Sequence, residues 1–340
     1  MIGPDFIVLT GFLGSGKTTL LRDFLRGPEA ADTAVVVNEA GEIGLDGIIL
    51  RESGGDVPIA MLSNGCICCQ MGSDLAVTVE ALMAAERAEV SGPLKRIILE
   101  TSGLSKPGPV LRRLASLAEY RMRISIVATY DALRGADTRS FEEAAAQWAA
   151  AHRIVLTKAD AVSPERLAEA QAEITGLNPL AEAVVTTDRP AAVAGAFAPL
   201  AIAAQMPEPP RMEGRIAHPR VSVCLARPTA ILAYDDLAAW LENLAGALGE
   251  RLLRLKGLVR VAEIDRPVLV QSVGTLFSPP RPFGSPDASA SPFVVIIARD
   301  LDATELDTVE PTEMFRISGW SEPNPFSRSS APRGFRAEAV

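Results

Sequence analysis

The sequence predicts an α/β fold in which a doubly wound, mainly parallel sheet is followed by a small α+β domain. Three observations lead to this prediction. Short apolar segments alternate with longer amphipathic segments through the first half of the chain, as in successive βα units. A glycine-rich turn separates the first strand from the first helix. Beyond residue 216 the pattern changes to several strands around one long amphipathic helix.

The first domain is predicted to span residues 1–204 and to begin with a strand at Phe6–Thr10 and a helix at Thr18–Leu25. The other predicted strands are Ala34–Asn38, Ile97–Glu100, Ile124–Thr129, Ile154–Thr157 and Val184–Thr186. The other predicted helices are Asp74–Glu89, Val110–Ala118, Phe141–Ala150 and Pro164–Thr175. Because most of these strands lead into a helix, crossover connections and parallel pairing are expected.

A stretch rich in proline and charge, residues 205–216, is predicted to be a linker to a second domain at 217–320. Its predicted elements are a half-buried strand at Val221–Leu225, a helix at Tyr234–Leu248, and strands at Leu258–Ala262, Val268–Val273 and Val294–Ala298. The five prolines of Ser278–Pro292 indicate a surface loop, and residues 321–340 are expected to be disordered.

Charge and hydropathy exclude several classes of partner. The chain carries 42 acidic and 33 basic residues, a net charge of −9, and has no long basic run, so no nucleic-acid partner is expected. Its longest nearly apolar stretch, Ala191–Ala204, is 14 residues, whereas a bilayer span needs about 20. We therefore expect no membrane association. The start of the chain lacks the features of a signal peptide, which predicts a cytoplasmic protein.

The glycine-rich turn matches the phosphate-binding loop G-x-x-x-x-G-K-[ST] between the first strand and the first helix. Glycines let consecutive backbone N–H groups face phosphate oxygens, and the helix N-terminus adds partial positive charge. Lys17 is predicted to reach the β- and γ-phosphates, and the Thr18 hydroxyl to bind Mg²⁺. The predicted nucleotide-binding residues here are Gly11, Gly14, Ser15, Gly16, Lys17, Thr18 and Thr19. The fold class is therefore that of P-loop NTPases.

Two further strand ends are predicted to face the same nucleotide crevice. Glu100, at the end of one strand, is placed to position a water bound to Mg²⁺ or an attacking water, and Gly103 can offer its N–H to the γ-phosphate. Thr157-Lys158-Ala-Asp160 has the spacing of the guanine-selecting N/T-K-x-D motif. Asp160 would accept the two guanine donors that adenine does not present together. Threonine in place of the usual asparagine predicts a weaker contact to the base or to the loop.

Three of the four cysteines are crowded into Cys66-Ile-Cys68-Cys69. Three thiolates form a soft donor set suited to Zn²⁺, Cu⁺ or Co²⁺, and a fourth ligand would complete the site. A redox pair and a buried apolar cluster are the competing interpretations. The chain contains two histidines, so metal storage by a histidine tract is excluded.

With these motifs the sequence resembles the CobW-like family of P-loop GTPases, which are cytoplasmic metallochaperones and metallocentre-assembly proteins. The resemblance also covers the acidic loop Asn38–Asp46 and Arg254-Leu-Lys256-Gly257, and spans about residues 5–300. It implies that Glu39 and Glu42 lie near the metal site and that Asp46 is a switch carboxylate near Mg²⁺. It also implies a CobW-type C-terminal domain and a client metalloprotein, and it leaves a homodimer open.

The leading hypothesis is a GTPase that binds zinc or cobalt at the cysteines and uses its nucleotide state to hold or release the ion to a client. Its cofactors would be GTP, Mg²⁺ and Zn²⁺ or Co²⁺, with Lys17, Glu100 and Gly103 acting in hydrolysis. One alternative is a redox-regulated GTPase switch without metal transfer. The other is a small-molecule P-loop kinase, against which the guanine-type motif argues.

Overall fold

The structure is a computed structural model that describes residues 3–38, 57–62, 71–84, 94–200, 218, 220–284, 291–301, 306, 309 and 314–318. These residues form two sheets with helices packed against them. None of the helices in these ranges combines the length and the apolar character needed to cross a bilayer.

The first sheet holds seven described strands in the order β3-β2-β4-β1-β5-β6-β7, all parallel. The strands are β1 (Asp5–Gly11), β2 (Thr33–Val37), β3 (Ile59–Met61), β4 (Arg96–Glu100), β5 (Arg123–Asp131), β6 (Arg153–Thr157) and β7 (Glu182–Val184). The α-helices are α1 (Lys17–Leu25), α2 (Met71–Ala84), α3 (Pro107–Leu114), α4 (Gly135–Thr138), α5 (Glu142–Ala150), α6 (Pro164–Leu177) and α7 (Arg189–Phe197).

Helices cover both faces of this sheet, which confirms the doubly wound fold class. Leu21 of α1 and Phe197 of α7 pack on one face, whereas Leu111 of α3 and Trp148 of α5 pack on the other. The strand order reverses around β1, since the chain first builds β2 to β4 on one side and then β5 to β7 on the other. Ligands of such sheets bind at this reversal, outside the carboxyl ends of the strands.

The second sheet is antiparallel, with the order β11-β10-β9-β13-β8-β14 and β12 beside β10. Its strands are β8 (Val221–Pro228), β9 (Leu252–Val259), β10 (Val268–Val273), β11 (Leu276–Phe277), β12 (Arg281–Pro282), β13 (Phe293–Arg299) and β14 (Phe315–Ser318). The helix α8 (Tyr234–Leu248) packs on one face, and the other face packs against the first domain. The predicted α+β domain is confirmed in this form.

Packing on both faces corrects one prediction about β8. Alternating polarity predicted a half-buried strand, but every residue from Val221 to Ala226 is buried. Cys224 faces the α8 side, and Val223 faces the first domain. A small residue such as Ser222 or Cys224 is therefore part of the interior, which periodicity alone does not reveal.

Several elements also differ from the predictions. The strand predicted at Leu258–Ala262 is β9, Leu252–Val259, because its charged residues Arg254 and Lys256 lie against the first domain instead of in solvent. The helix predicted at Val110–Ala118 begins at Pro107 and continues beyond Leu114 as a 3₁₀ helix. α7 was not predicted, although Asp188 caps it and Pro190 stands in its first turn. The linker 205–216 and the tail 321–340 lie outside the described residues.

Candidate functional site

The phosphate-binding loop joins β1 to α1, as its spacing predicts. Gly11, Gly14 and Gly16 have φ values of 146°, 69° and 91°, which L-residues with a Cβ rarely adopt. Gly16 is the N-cap of α1, so the helix begins at Lys17 with its free N–H groups directed toward the loop. The local sequence thus builds a helix N-terminus suited to an anion.

Lys17 and Thr18 lie at the mouth of this loop. The Lys17 Nζ donates to the carbonyl oxygens of Gly11 at 2.8 Å and Phe12 at 3.2 Å, and the residue is 8% exposed. The Thr18 hydroxyl donates to Glu100 Oε1 at 2.7 Å. Glu100 ends β4, which is the neighbour of β1 in the sheet. Residues 82 positions apart in sequence are therefore brought together, as was predicted from the parallel sheet.

Gly103 lies directly against the phosphate-binding loop. A Cβ at this position would stand 2.8 Å from the Leu13 nitrogen and 2.9 Å from Leu13 Cα, so only glycine allows this approach. The Gly103 carbonyl accepts from Gln147 Nε2 at 2.9 Å, and Ser105 accepts from the same nitrogen at 2.9 Å. Gln147 on α5 is fully buried. The turn after β4 is thus held between the loop and α5.

The segment Thr157–Asp160 closes the other side of the loop. The Thr157 hydroxyl donates to Ser15 O at 2.7 Å, and Lys158 Nζ donates to Gly14 O at 3.0 Å. Lys158 also pairs with Asp131 at 2.5 Å and has a left-handed φ of 55°. A weaker contact to the loop was expected from threonine, yet its hydroxyl makes a short hydrogen bond there. Asp160 follows on an exposed 3₁₀ turn.

A cavity of about 370 Å³ lies between the phosphate-binding loop and the chain that follows β2 and β4, lined by Gly14, Lys17, Thr18, Asn38, Glu100 and Gly103, among others. Its chemistry fits a nucleoside triphosphate with Mg²⁺. The loop amides and the Lys17 ammonium suit phosphate oxygens, and the Thr18 hydroxyl and Glu100 carboxylate are hard oxygen donors of the kind Mg²⁺ prefers. Thr19, the third residue of α1, also lines the cavity.

The predicted residues of the metal site and of the acidic loop lie outside the described residues. They are Glu39, Glu42, Asp46, Cys66, Cys68 and Cys69. Within the described ranges, no group of three or more His, Cys, Asp or Glu side chains is placed to hold a metal ion. Cys224 is described, and burial raises the pKa of its thiol to about 12, which favours the neutral thiol.

Two contributors to the site were missed in the sequence. Asp131 ends β5, pairs with Lys158, and accepts from the N–H of Leu133 at 2.9 Å. An acidic residue at the end of an apolar strand was the signal that identified Glu100, and the same signal marks Asp131. Gln147 gives a weaker signal, as a polar residue within the alanine-rich α5.

Comparisons with known proteins cover nearly the whole described fold. The family model of the CobW/HypB/UreG nucleotide-binding domain matches residues 5–185, and that of the cobalamin synthesis protein cobW C-terminal domain matches 221–309. Two relatives are named zinc chaperone CobW. The one from Pseudomonas aeruginosa is 31% identical and aligns over 87% of both chains. The one from a Sinorhizobium species is 27% identical over 87% of this chain and 93% of that protein.

A third relative, zinc chaperone YjiA of Escherichia coli, is 33% identical over 51% of this chain. Among solved structures, the Zn(II)-bound YjiA GTPase from E. coli superposes with a TM-score of 0.65 at 20% identity. The superposition covers 91% of this chain and 98% of that one. At this identity the structural likeness establishes the shared fold of both domains.

Proposed function

The chain belongs to the CobW/HypB/UreG family and is a GTPase, and from that premise we propose that it is a zinc chaperone that delivers the ion to a client metalloprotein. The observation that carries the proposal is the Thr18–Glu100 contact at the mouth of the phosphate-binding loop. This contact supports a nucleotide centre, and the two relatives named zinc chaperone CobW align with the chain over most of their length.

We assign the nucleotide to the cavity above the loop. The loop amides and Lys17 would bind the phosphates, and Lys158 would cover the base while Asp160 accepts the guanine donors. Two hydrogen bonds support this assignment: the Thr157 hydroxyl donates to the Ser15 carbonyl, and Lys158 Nζ donates to the Gly14 carbonyl. They hold the segment that would bind the base directly against the phosphate-binding loop.

For hydrolysis we assign Glu100 and Gly103. Thr18 and Glu100 would hold Mg²⁺, which offsets phosphate charge when it is bound. Glu100 is 4% exposed and lies within hydrogen-bond distance of Thr18, so it can also orient a water at the phosphate end of the cavity. The Gly103 N–H would donate to the γ-phosphate, which the close approach of this residue to the loop at Leu13 supports.

The cargo site is assigned to Cys66, Cys68 and Cys69, with Glu39 and Glu42 nearby and Asp46 as a carboxylate on the Mg²⁺ side. The support is chemical, because three thiolates bind Zn²⁺ or Co²⁺ preferentially. The relatives' names point to zinc as the cargo. Since γ-phosphate contacts order such loops in other GTPases, nucleotide state would set whether the ion is held or released to the client.

The test uses Co²⁺ as a spectroscopic probe on the full chain under anaerobic, reducing conditions. One ion per chain should bind with thiolate-to-metal charge-transfer absorption and release of protons from the thiols. Replacing Cys66 and Cys69 with serine should remove the band, whereas Cys224→Ser, a matched control at a buried thiol, should leave it intact.

The coupling of the two sites is tested by repeating the Co²⁺ titration with and without a non-hydrolysable GTP analogue and Mg²⁺. Linkage requires that the analogue change metal affinity by the same factor by which the metal changes analogue affinity. Equal metal affinities would end the claim of nucleotide-controlled release. The absence of a charge-transfer band, together with a disulfide that forms readily in mild oxidant, would favour the redox switch instead.

A further inference from the structure

A second cavity, of about 240 Å³, lies between the two domains at the edge of the parallel sheet opposite the nucleotide site. Arg123 and Ser125 reach it from the start of β5, and His152 reaches it from the residue before β6. The second domain contributes Lys256 of β9, Gln271 of β10 and Arg281 of β12. A cavity that holds a single water molecule needs a volume of about 10–15 Å³, so this cavity admits a ligand of several atoms.

The side chains from the second domain converge because of strand register. Lys256 is the direct antiparallel partner of Gln271, so the two side chains lie next to each other on one face of the sheet. Arg281 is the antiparallel partner of Leu269. Leu269 stands two residues before Gln271 on β10, and it also lines the cavity. The sheet therefore presents an ammonium, an amide and a guanidinium to one cavity.

Positive charge in the cavity exceeds negative charge. Asp5 is the single carboxylate among the described lining residues, and it is already paired with Arg123 at 2.7 Å. In the described part of the chain Lys256 makes no ion pair. Burial, and after it the charges of Arg254 and Arg281, lower the pKa of Lys256. A cation with cationic neighbours in a partly desolvated cavity is an unfavourable arrangement that a bound anion would relieve.

His152 adds a neutral donor. Its Nδ1 accepts from the Ile126 N–H at 3.1 Å, which leaves the proton of the neutral ring on Nε2. Burial lowers the pKa of His152 well below its usual range, and the charges of Arg254 and Lys256 add to this effect. Among the described residues Nε2 makes no hydrogen bond, so it remains available as a donor to a ligand.

We propose that this interdomain cavity is a binding site for a small multivalent oxyanion, held by Lys256 and Arg281 with Gln271 and His152 as neutral donors. The site is separate from the nucleotide centre, because it lies at the amino ends of the strands. It also gives a role to Lys256 of the Arg254–Gly257 segment, which the nucleotide and metal sites do not use. Because both domains contribute donors, a bound anion would strengthen their contact.

The test is calorimetric titration of the full chain with inorganic phosphate and, separately, with citrate. The protein is first saturated with GDP so that the phosphate-binding loop is filled. Parent protein should bind at least one of the two probes saturably, and the tighter probe identifies a phosphoryl or a carboxylate ligand. Lys256→Gln should weaken that binding about tenfold or more, since one charge-assisted hydrogen bond is lost.

Two variants control for loss of fold and for general charge effects. Lys256→Arg keeps the positive charge and should retain binding. Arg316→Gln removes an exposed cation from β14, at the opposite edge of the same sheet, and should bind like the parent protein. The proposal is overturned if the parent protein shows no saturable binding of either probe. It is also overturned if Lys256→Gln binds as tightly as the parent.

Thermal unfolding gives an independent readout. Anions such as phosphate stabilise most proteins by being excluded from the protein surface, without occupying a site. This general effect should be nearly the same for the parent protein and for variants with one substitution. Specific binding should therefore raise the melting temperature of the parent and of Arg316→Gln more than that of Lys256→Gln. Identical increases in all three proteins would contradict the assignment.

Discussion

At the scale of single residues, the Lys17 ammonium shows how the loop keeps a cation ready for phosphate. It is nearly buried, and the Gly11 and Phe12 carbonyls accept its protons. In Lys17→Ala we expect no measurable GTP hydrolysis and GTP binding weaker by about a hundredfold, because charge-assisted hydrogen bonds to the phosphates are lost. Titration calorimetry and a phosphate-release assay measure both effects. Undiminished turnover in a folded Lys17→Ala protein would refute the assignment of the loop.

Guanine selectivity is also decided by one side chain. Asp160 is exposed at the end of the segment that Thr157 and Lys158 bind to the loop, so its carboxylate is free to accept from a base. The parent protein should prefer GTP to ATP, and Asp160→Asn should reduce the preference about ten- to a hundredfold. Xanthosine triphosphate, with a carbonyl in place of the guanine amine, should bind Asp160→Asn better than the parent. Competition binding measures the affinities for GTP, ATP and xanthosine triphosphate. Equal affinities of the parent protein for GTP and ATP would contradict the assignment.

The sequence predicted Lys17, Thr18, Glu100 and Gly103 as site residues because each belongs to a short local pattern beside an apolar strand, and the structure brings the four to one cavity. Gln147 could not be found this way, and for Thr157 the motif predicted a contact to the base or to the loop but not its partner, which is the Ser15 carbonyl. Gln147 Nε2 reaches the Gly103 carbonyl across 44 positions. Contacts of this kind depend on how elements pack, and no spacing within a single segment encodes them.

At the scale of elements, α5 supports the turn after β4 through Gln147. Gln147→Leu would leave the Gly103 and Ser105 carbonyls without this donor, so we expect the free energy of unfolding to fall by about 1–3 kcal/mol. Hydrolysis should slow while GDP affinity stays near the parent value, because we assign the Gly103 N–H to the γ-phosphate, which GDP lacks. Hydrogen exchange of residues 101–106 should become faster. Gln171→Leu, at an exposed position of α6, is the matched control. Normal turnover in Gln147→Leu would exclude this positioning role.

A buried charge explains the largest error in a predicted strand boundary, at β9. β9 was placed six residues late because Arg254 and Lys256 resemble a solvent-exposed segment. In the folded protein Arg254 is 3% exposed and donates to the Ala150 and Ala151 carbonyls at the end of α5. Burial lowers its pKa to about 10. Only the docking of the two domains provides these acceptors, so the strand boundary depends on tertiary structure.

At the scale of the whole molecule, the two domains are joined through α5. The Ala150 and Ala151 carbonyls at the C-terminal end of α5 accept hydrogen bonds from Arg254 of the second domain. Glu142 lies at the start of the same helix. Glu142 Oε1 pairs with Lys106, three residues after Gly103, and with Arg299 on β13. One carboxylate thus connects the turn after β4 to the second domain. A change at that turn has a direct electrostatic path to β13.

Glu142→Gln tests that path, because it removes the negative charge between two cations and keeps the shape of the side chain. Because the pairs are partly exposed, the free energy of unfolding should fall by only about 1 kcal/mol. The larger effect should appear in communication between the domains. In the parent protein a GTP analogue should alter hydrogen exchange along β13 relative to GDP, and in Glu142→Gln this difference should disappear.

Glu143→Gln, next to it on α5, loses the same charge without an ion pair in the described structure and should behave like the parent. A nucleotide-dependent difference of parental size in Glu142→Gln would show that the domains communicate by another route, such as the Arg254 contact.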